Sequence, residues 1–400
     1  MTFISSAVVS AGEEAEIPAS GTVRRCQSCL ADAREAVREF RAGLWQPDIE
    51  LVLFFCSSSY DLDAIADEMA RQFAGIQVIG CTTAGEIGPA GYRDHSISGA
   101  SFPAGSFTAV GGQIEHLQQF ESPRGRVFAQ ASVQKLESRA PHASPENSFA
   151  LLLIDGLSVR EEQVTRALQS ALRDIPLVGG SAGDGVNFAR THVYYDGHFH
   201  SDAAVMVLIT TPLPFRTFKI QHFVPMEERL VVTAADAARR VVQELNGVPA
   251  DEEYARVVGV APSDLQPTSF ASSPFVVVID GTNYVRSVQK ANPDGSLTFY
   301  CAIEEGLVLR VARGVDLVAN LLESFDCIRG EIGAPELTIS CDCILRKIEM
   351  LQGGMTDRVS AAFTTHNAIG LSTYGEQYRG IHVNQTLTGI AIGRQSACDG

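Results

Sequence analysis

The sequence predicts an α/β protein built on repeated strand–helix–strand modules, with an antiparallel sheet added before the last copy. Two observations predict it. An apolar run of strand length, an amphipathic helix and a second apolar run ending in a glycine-rich turn recur in the same order along the chain. Between the second and third occurrences lie β-branched runs punctuated by Asp280-Gly281 and Asn292-Pro293-Asp294-Gly295, which are hairpin-turn sequences.

Taken in order, residues 1–21 read as a loose leader rich in Ala, Gly, Ser and Glu. Val23, Cys26, Leu30, Ala33, Val37, Phe40 and Leu44 are spaced by three and four, which predicts one helix that Pro47 stops. The first module follows: strand Leu51–Phe55, helix Asp61–Phe73, strand Gln77–Gly80, the turn Gly80-Cys81-Thr82-Thr83-Ala84-Gly85-Glu86, and a strand around Ser96–Phe102. The second has strand Ala150–Ile154, a helix opened by a Ser158/Glu161 capping box, strand Leu177–Gly180, the turn Gly180-Ser181-Ala182-Gly183-Asp184-Gly185, and strand Ala203–Ile209. The third, more diverged, has strand Leu337–Cys341, helix Ile344–Gln352, the turn around Thr373-Tyr374-Gly375-Glu376, and strand Thr386–Ile392. In the intervening segment, Thr233–Leu245 is expected to be a helix and Pro262–Pro274 a loop. Phe275–Ile279, Tyr284–Val288, Leu297–Ile303 and Leu307–Val311 are expected to be antiparallel strands. A domain boundary is placed near Pro225–Val232.

Composition narrows the function. The net charge of −16, without a local basic cluster, argues against nucleic acid and acidic membranes as partners. The apolar runs are too short to span a bilayer, and the N-terminus lacks the basic start of a secretory signal. Nine scattered cysteines, an odd number, fit reduced thiols better than a disulfide framework, so a cytoplasmic location is expected.

Several motifs together resemble one family. Val78-Ile79-Gly80-Cys81-Thr82-Thr83-Ala84-Gly85-Glu86-Ile87 resembles the hallmark of the N-terminal FIST domain. Val241-Val242-Gln243-Glu244-Leu245-Asn246-Gly247-Val248-Pro249-Ala250 resembles the opening of the C-terminal FIST domain. Cys341-Asp342-Cys343-Ile344-Leu345-Arg346, Ser372-Thr373-Tyr374-Gly375-Glu376-Gln377-Tyr378 and His382-Val383-Asn384-Gln385-Thr386-Leu387-Thr388-Gly389 are similar to the nitric-oxide-sensing, heme-binding subgroup of FIST proteins. After the leader and helix read over 1–45, the resemblance implies a FIST N-terminal domain over 46–230 and a FIST C-terminal domain over 231–395. It also implies a bacterial sensor that binds heme b, takes nitric oxide as ligand, and signals in trans to a histidine kinase or a cyclic-di-GMP enzyme. The chain is expected not to be an enzyme, since no nucleophile, base and orienter can be assigned from its residues. Whether the chain is a monomer or a homodimer stays open.

Heme b needs an axial ligand, and a neutral imidazole is common in gas sensors. His382 stands at the head of the most motif-rich strand, with Asn384, Thr386 and Thr388 on the same face by alternation. It is the expected iron ligand, with His366 in reserve and Tyr374 and Asn384 beside the cofactor. The ordinary alternative for each is a hydrogen-bonded structural residue. Cys341 and Cys343, two apart on a strand, share a face. With Cys26 and Cys29 on the predicted N-terminal helix they compose a candidate four-thiolate zinc or redox site, set against the reading that they are buried small residues. Zinc, or another small ligand such as an amino acid, is therefore the alternative to heme. The glycine turns lack a Walker lysine and read as structural, with Glu86 and Glu376 placed either to orient backbone amides there or to touch a ligand. Cys56 and Cys81 are the candidate nucleophiles, but no histidine is placed beside either. The expected switch is release of a Gly370–Gly393 hairpin when nitric oxide weakens the bond from iron to His382.

Overall fold

The computed structural model describes residues 22–279 and 281–394. The predicted leader and Asp280 of the predicted turn lie outside them. Module one comprises β1 (Arg24–Ser28), α1 (Ala33–Leu44), β2 (Ile49–Ser57), α2 (Leu62–Gln72) and β3 (Gln77–Thr83). A hairpin of β4 (Glu86–Gly88) and β5 (Gly91–Arg93) follows, then β6 (Ile97–Pro103). Module two repeats this plan with β7 (Thr108–Ile114), α3 (Ser122–Arg139), β8 (Ser148–Ile154), α4 (Glu161–Leu172) and β9 (Leu177–Ser181). Its hairpin is β10 (Val193–Tyr195) with β11 (His198–His200), and β12 (Ala204–Thr210) closes it.

Module three opens with β13 (Phe215–Ile220) and is then interrupted. The insertion holds β14 (Phe223–Pro225), β15 (Leu230–Asp236), β16 (Val241–Leu245), β17 (Val248–Pro249), α5 (Ala250–Val258) and α6 (Pro267–Ser272). It continues with β18 (Phe275–Ile279), β19 (Thr282–Arg286), β20 (Val288–Ala291), β21 (Leu297–Phe299) and β22 (Val308–Gly314). The module resumes with α7 (Leu317–Ile332), β23 (Leu337–Cys343), α8 (Ile344–Gln352), α9 (Thr356–Thr365) and β24 (Ala368–Thr373). Its hairpin is β25 (Glu376–Tyr378) with β26 (Ile381–Val383), and β27 (Leu387–Ile392) ends it.

The three modules build three sheets of the same internal order: β1-β6-β2-β3, β7-β12-β8-β9 and β13-β27-β23-β24. In each, two strands run parallel, joined by one helix in modules one and two and by α8 and α9 in module three. The expected equivalence of Leu51–Phe55 and Ala150–Ile154 is met, since both runs lie in the third strand of their order. Central strands covered on both faces need no polar alternation, which is why they read as unbroken apolar runs.

Each sheet is completed by a hairpin from another module. β10 of module two pairs with β3, β25 of module three with β9, and β4 of module one with β24. The exchange closes on itself, so those three strand edges are covered. At the centre three backbone bonds repeat the same pattern: Ala84 N–H to Ser372 O (2.9 Å), Gly183 N–H to Thr82 O (3.0 Å) and Tyr374 N–H to Ser181 O (3.4 Å). One core cluster accordingly draws Phe55, Leu153 and Cys341 from three different modules. Glycine is needed at Gly80, Gly179 and Gly370 for one reason: a Cβ there would meet the carbonyl of the neighbouring parallel strand at 2.5, 2.1 and 1.9 Å.

The structure corrects several expectations. The predicted first helix is a strand and a shorter helix: Cys26 lies on β1, paired with Gly99, and α1 starts after Asp32, whose carboxylate accepts from Glu35 N–H. The three-four spacing before Asp32 was coincidental, and the N-cap was the true signal. Thr233–Leu245 is not a helix. It forms parts of β15 and β16, joined by a short turn at Ala237–Arg239. The β-branched Val231, Val232, Val241 and Val242 find strand partners, and pairing overrides the alanines between them. The Ser158/Glu161 capping box is absent: Ser158 Oγ accepts from Arg160 N–H, and Glu161 turns to Arg240. Helix α6 lies inside the expected Pro262–Pro274 loop. The helices α3 and α7 were not foreseen; they are the first helices of modules two and three.

Candidate functional site

The inserted sheet packs against module two, and a cavity of about 490 Å3 lies along that seam. The start of α4 supplies Glu162 and Arg166, the β25–β26 hairpin supplies Ile381 and His382, and the inserted sheet supplies Val277, Ile279, Arg286 and Leu307. The seam is held by charge. Arg240, in the bend before β16, donates to Glu161 and Glu162 at 2.8 Å each, and Ala302 N–H donates to Glu162 at 2.8 Å. Burial lifts the Glu161 carboxyl above the usual range. Against that same penalty, the neighbouring His382 imidazole and the Arg240 guanidinium hold Glu162 down.

His382 is buried at the inner wall. Burial pushes its imidazole down to about 4, with Arg240 and Arg286 adding to the effect and Glu162 opposing it, so the ring is neutral at physiological pH. Cross-strand register places it opposite Gln377, whose Nε2 stands 3.4 Å from the ring's Nδ1. Its other edge lies against Gly375, where a Cβ would come 2.3 Å from Cε1 and 2.7 Å from Nε2. Asn384 flanks the same glycine, buried, with neither amide atom partnered among the described residues.

The other predicted site residues fall elsewhere. Tyr374 stands on the central turn, its hydroxyl bonded to Asp184 and Gly185 O and its ring stacked on Phe188 at 4.4 Å. His366 ends α9, donates from Nδ1 to Ala362 O at 2.8 Å, and stacks on Phe325 at 4.5 Å. These contacts make it a packed core histidine on the outer side of module three. The four-thiolate site is not assembled. Cys26 packs beside α1, Cys29 is exposed, and Cys341 lies in the central core. Among the described residues no cluster of three metal-ligating side chains occurs. Burial pushes all four thiols up, Cys26 to about 11, which disfavours the thiolate a metal needs. Cys56 and Cys81 are likewise buried and raised.

Glu86 and Glu376 do orient backbone amides. Each accepts from the N–H and hydroxyl of the residue ten positions on, Ser96 and Thr386 respectively. The Gly370–Gly393 segment is not a free hairpin. β24 and β27 are inner strands of one sheet, β25 and β26 complete another, and the true turn is at Arg379-Gly380. Releasing it would dismantle two sheets.

Sequence reasoning missed Arg286 and the Arg240 clamp. Arg286 shares a face of β19 with Tyr284 by alternation, so an arginine in an inward register was a readable signal. It also missed that Asp342 is the counter-ion of the fully buried Arg346, at 2.7 Å, and that Arg346 in turn donates to His222.

Comparison with known proteins bears on the whole arrangement. An uncharacterized protein of Methanocaldococcus jannaschii is 20% identical over 232 residues, which cover 58% of this chain and 44% of that protein's length. Among solved structures, cyanuric acid hydrolase, described as an evolutionary innovation by structural concatenation, matches 93% of this chain and 100% of its own. Its TM-score is 0.36 and its identity 10%, too weak a likeness to bear on fold or activity. No helix among the described residues is long and apolar enough to cross a membrane. The family models match from β2 through β25: the FIST N domain over residues 50–248 and the FIST C domain over 250–379. The chain therefore belongs to the FIST family, whose domains imply a sensory, small-ligand-binding role.

Proposed function

We propose that this protein is a sensor, not an enzyme, that takes a small ligand into the seam cavity and reports occupancy to a partner. The observation that carries this is the cavity's position: it lies where the FIST N and FIST C regions meet, with His382 on its wall. A ligand there contacts both sides of the Arg240–Glu162 clamp. It can therefore favour one spacing of the seam over another, which is the differential binding that a switch requires.

The finer reading is heme b as the ligand, nitric oxide as the signal, and a histidine kinase or cyclic-di-GMP enzyme as the receiver. Three features favour it. The walls include apolar Val277, Ile279, Leu307 and Ile381; Arg286 and Arg166 suit propionates; and the His382 imidazole is neutral. When bound, heme would supply the ferrous centre that takes nitric oxide. The fit has one requirement. His382 holds its Nε2 against Gly375, so ligation needs the ring to leave that contact. In that movement the Gln377 amide, whose Nε2 now faces Nδ1 at 3.4 Å, turns its unpartnered Oε1 towards Nδ1–H to orient the ring. That inward-turned nitrogen is also what favours the second reading, a metal-free small ligand such as an amino acid in the same cavity.

Titrating the full-length protein with hemin while recording absorbance separates the two. Heme sensing predicts a Soret band that shifts with nitric oxide and is lost or altered in His382→Ala. A flat Soret region in folded protein rejects heme and leaves the metal-free ligand.

A further inference from the structure

Among the described residues Arg286 has no counter-ion. Its side chain is 8% exposed and lines the seam cavity, yet no carboxylate among the described residues lies within ion-pair distance. One guanidinium nitrogen, Nη1, donates to two backbone carbonyls, Val285 O at 3.1 Å and His382 O at 3.2 Å. Nε is buried with no hydrogen-bond partner among the described residues. Burying a charge without a counter-charge is strongly unfavourable, so such groups occur where a ligand completes the pair.

The surroundings sharpen the point. Of the carboxylates on the cavity wall, Glu162 is already engaged by Arg240 and Ala302 N–H, and Glu304 is exposed. Arg166 adds a further cation at the rim. Lys219 is close enough that Arg286 adds to burial in pushing its ammonium down to about 8. The wall thus carries two cations, Arg166 and Arg286, against two carboxylates, Glu162 and Glu304, and the Glu162 carboxylate is taken up by Arg240, which leaves Arg286 the buried charge without a counter-charge among the described residues.

We propose that Arg286 is the anchor for a carboxylate on the sensed ligand, so that the protein recognises small molecules joining a carboxylate to an apolar body. The guanidinium pairs with the carboxylate through the donors that the two carbonyls leave free, and Val277, Ile279, Leu307 and Ile381 take the apolar part. Because Arg286 also grips the carbonyl of His382, the ligand's charge is felt directly at the β25–β26 hairpin. The inference rests on reading the seam cavity as the sensory site. It holds equally for a porphyrin propionate and for a free aliphatic acid.

The test uses matched acid and neutral probes on the full chain by isothermal titration calorimetry. One arm compares protoporphyrin IX with its dimethyl ester, the other octanoate with octanamide. Wild-type protein is expected to bind the acid of at least one pair and to bind its neutral partner roughly ten- to a hundred-fold more weakly, the range for a charge-assisted pair. Arg286→Met should lose a similar factor for the acid and little for the neutral probe, with Arg286→Lys intermediate. Equal binding of acid and neutral probe, or an unchanged acid affinity in Arg286→Met, overturns the carboxylate anchor while leaving the cavity as a ligand site. If none of the four probes binds wild-type protein, both the anchor and the seam-cavity reading fall. The wild-type comparison stands even if Arg286→Met does not fold, and which arm binds tells a porphyrin from a free acid.

Discussion

Replacing Arg240 by methionine tests the seam directly. The substitution keeps much of the side chain's apolar stem and removes the one cation that bridges Glu161 and Glu162 at 2.8 Å each. Removing one partner of a buried ion pair costs roughly 3–5 kcal/mol. The lower end applies here, because Glu162 keeps the Ala302 amide as donor and Glu161, already lifted by burial, can take up a proton. The pH dependence follows from that lift. A carboxyl whose folded pKa lies above its unfolded value costs stability as pH rises through that interval. Glu161 is lifted to about 7 and losing Arg240 raises it further, so the variant's deficit should widen as pH rises past about 7 and reach about 3 kcal/mol above it. Urea unfolding followed by circular dichroism at several pH values measures it, and Arg240→Met/Glu162→Gln should recover part of the loss. A deficit below about 1 kcal/mol, or one that does not change with pH, would refute the view that the clamp is a buried, mutually dependent triad.

Other outcomes follow from the same geometry. Gly375→Ala should cost about 1–3 kcal/mol and displace the His382 ring, read as a change in its imidazole NMR signals, because the added methyl would sit 2.3 Å from Cε1. An unshifted ring would contradict the described packing. Asp342→Ala leaves the fully buried Arg346 without its counter-ion and should cost roughly 3–5 kcal/mol in chemical unfolding; a loss under about 1 kcal/mol would show that Arg346 reaches solvent or another acid. His366→Ala should lower stability by about 1–3 kcal/mol through the lost stack and hydrogen bond while leaving ligand titrations unchanged. In native protein a thiol reagent should modify the exposed Cys29 and Cys327 quickly and Cys341 and Cys343 only on unfolding. Fast reaction of the latter pair would revive a thiol role.

Much of the fold was written locally. The strand runs Leu51–Phe55, Ala150–Ile154 and Leu337–Cys341, the helix Ile344–Gln352 and the glycine turns are recognisable because hydrophobic periodicity and turn chemistry act over a few residues. From these the modular α/β plan and the family motifs could be read. What misled was also local: a chance helical spacing before Asp32, and alanines between two valine pairs that pair as strands. Only tertiary structure could decide that each module lends its hairpin to another, because pairing β4 with β24 joins Ile87 to Gly370, far apart in the chain. The same is true of the site. His382 and Asn384 meet at Gly375 as alternation suggested, but the cysteines do not meet, and His366 is spent on packing. Arg240, Glu162 and Arg286 converge from separate elements around one cavity. Whether a buried charge has a counter-ion depends on the three-dimensional neighbours of its side chain, and no local pattern in a sequence records them.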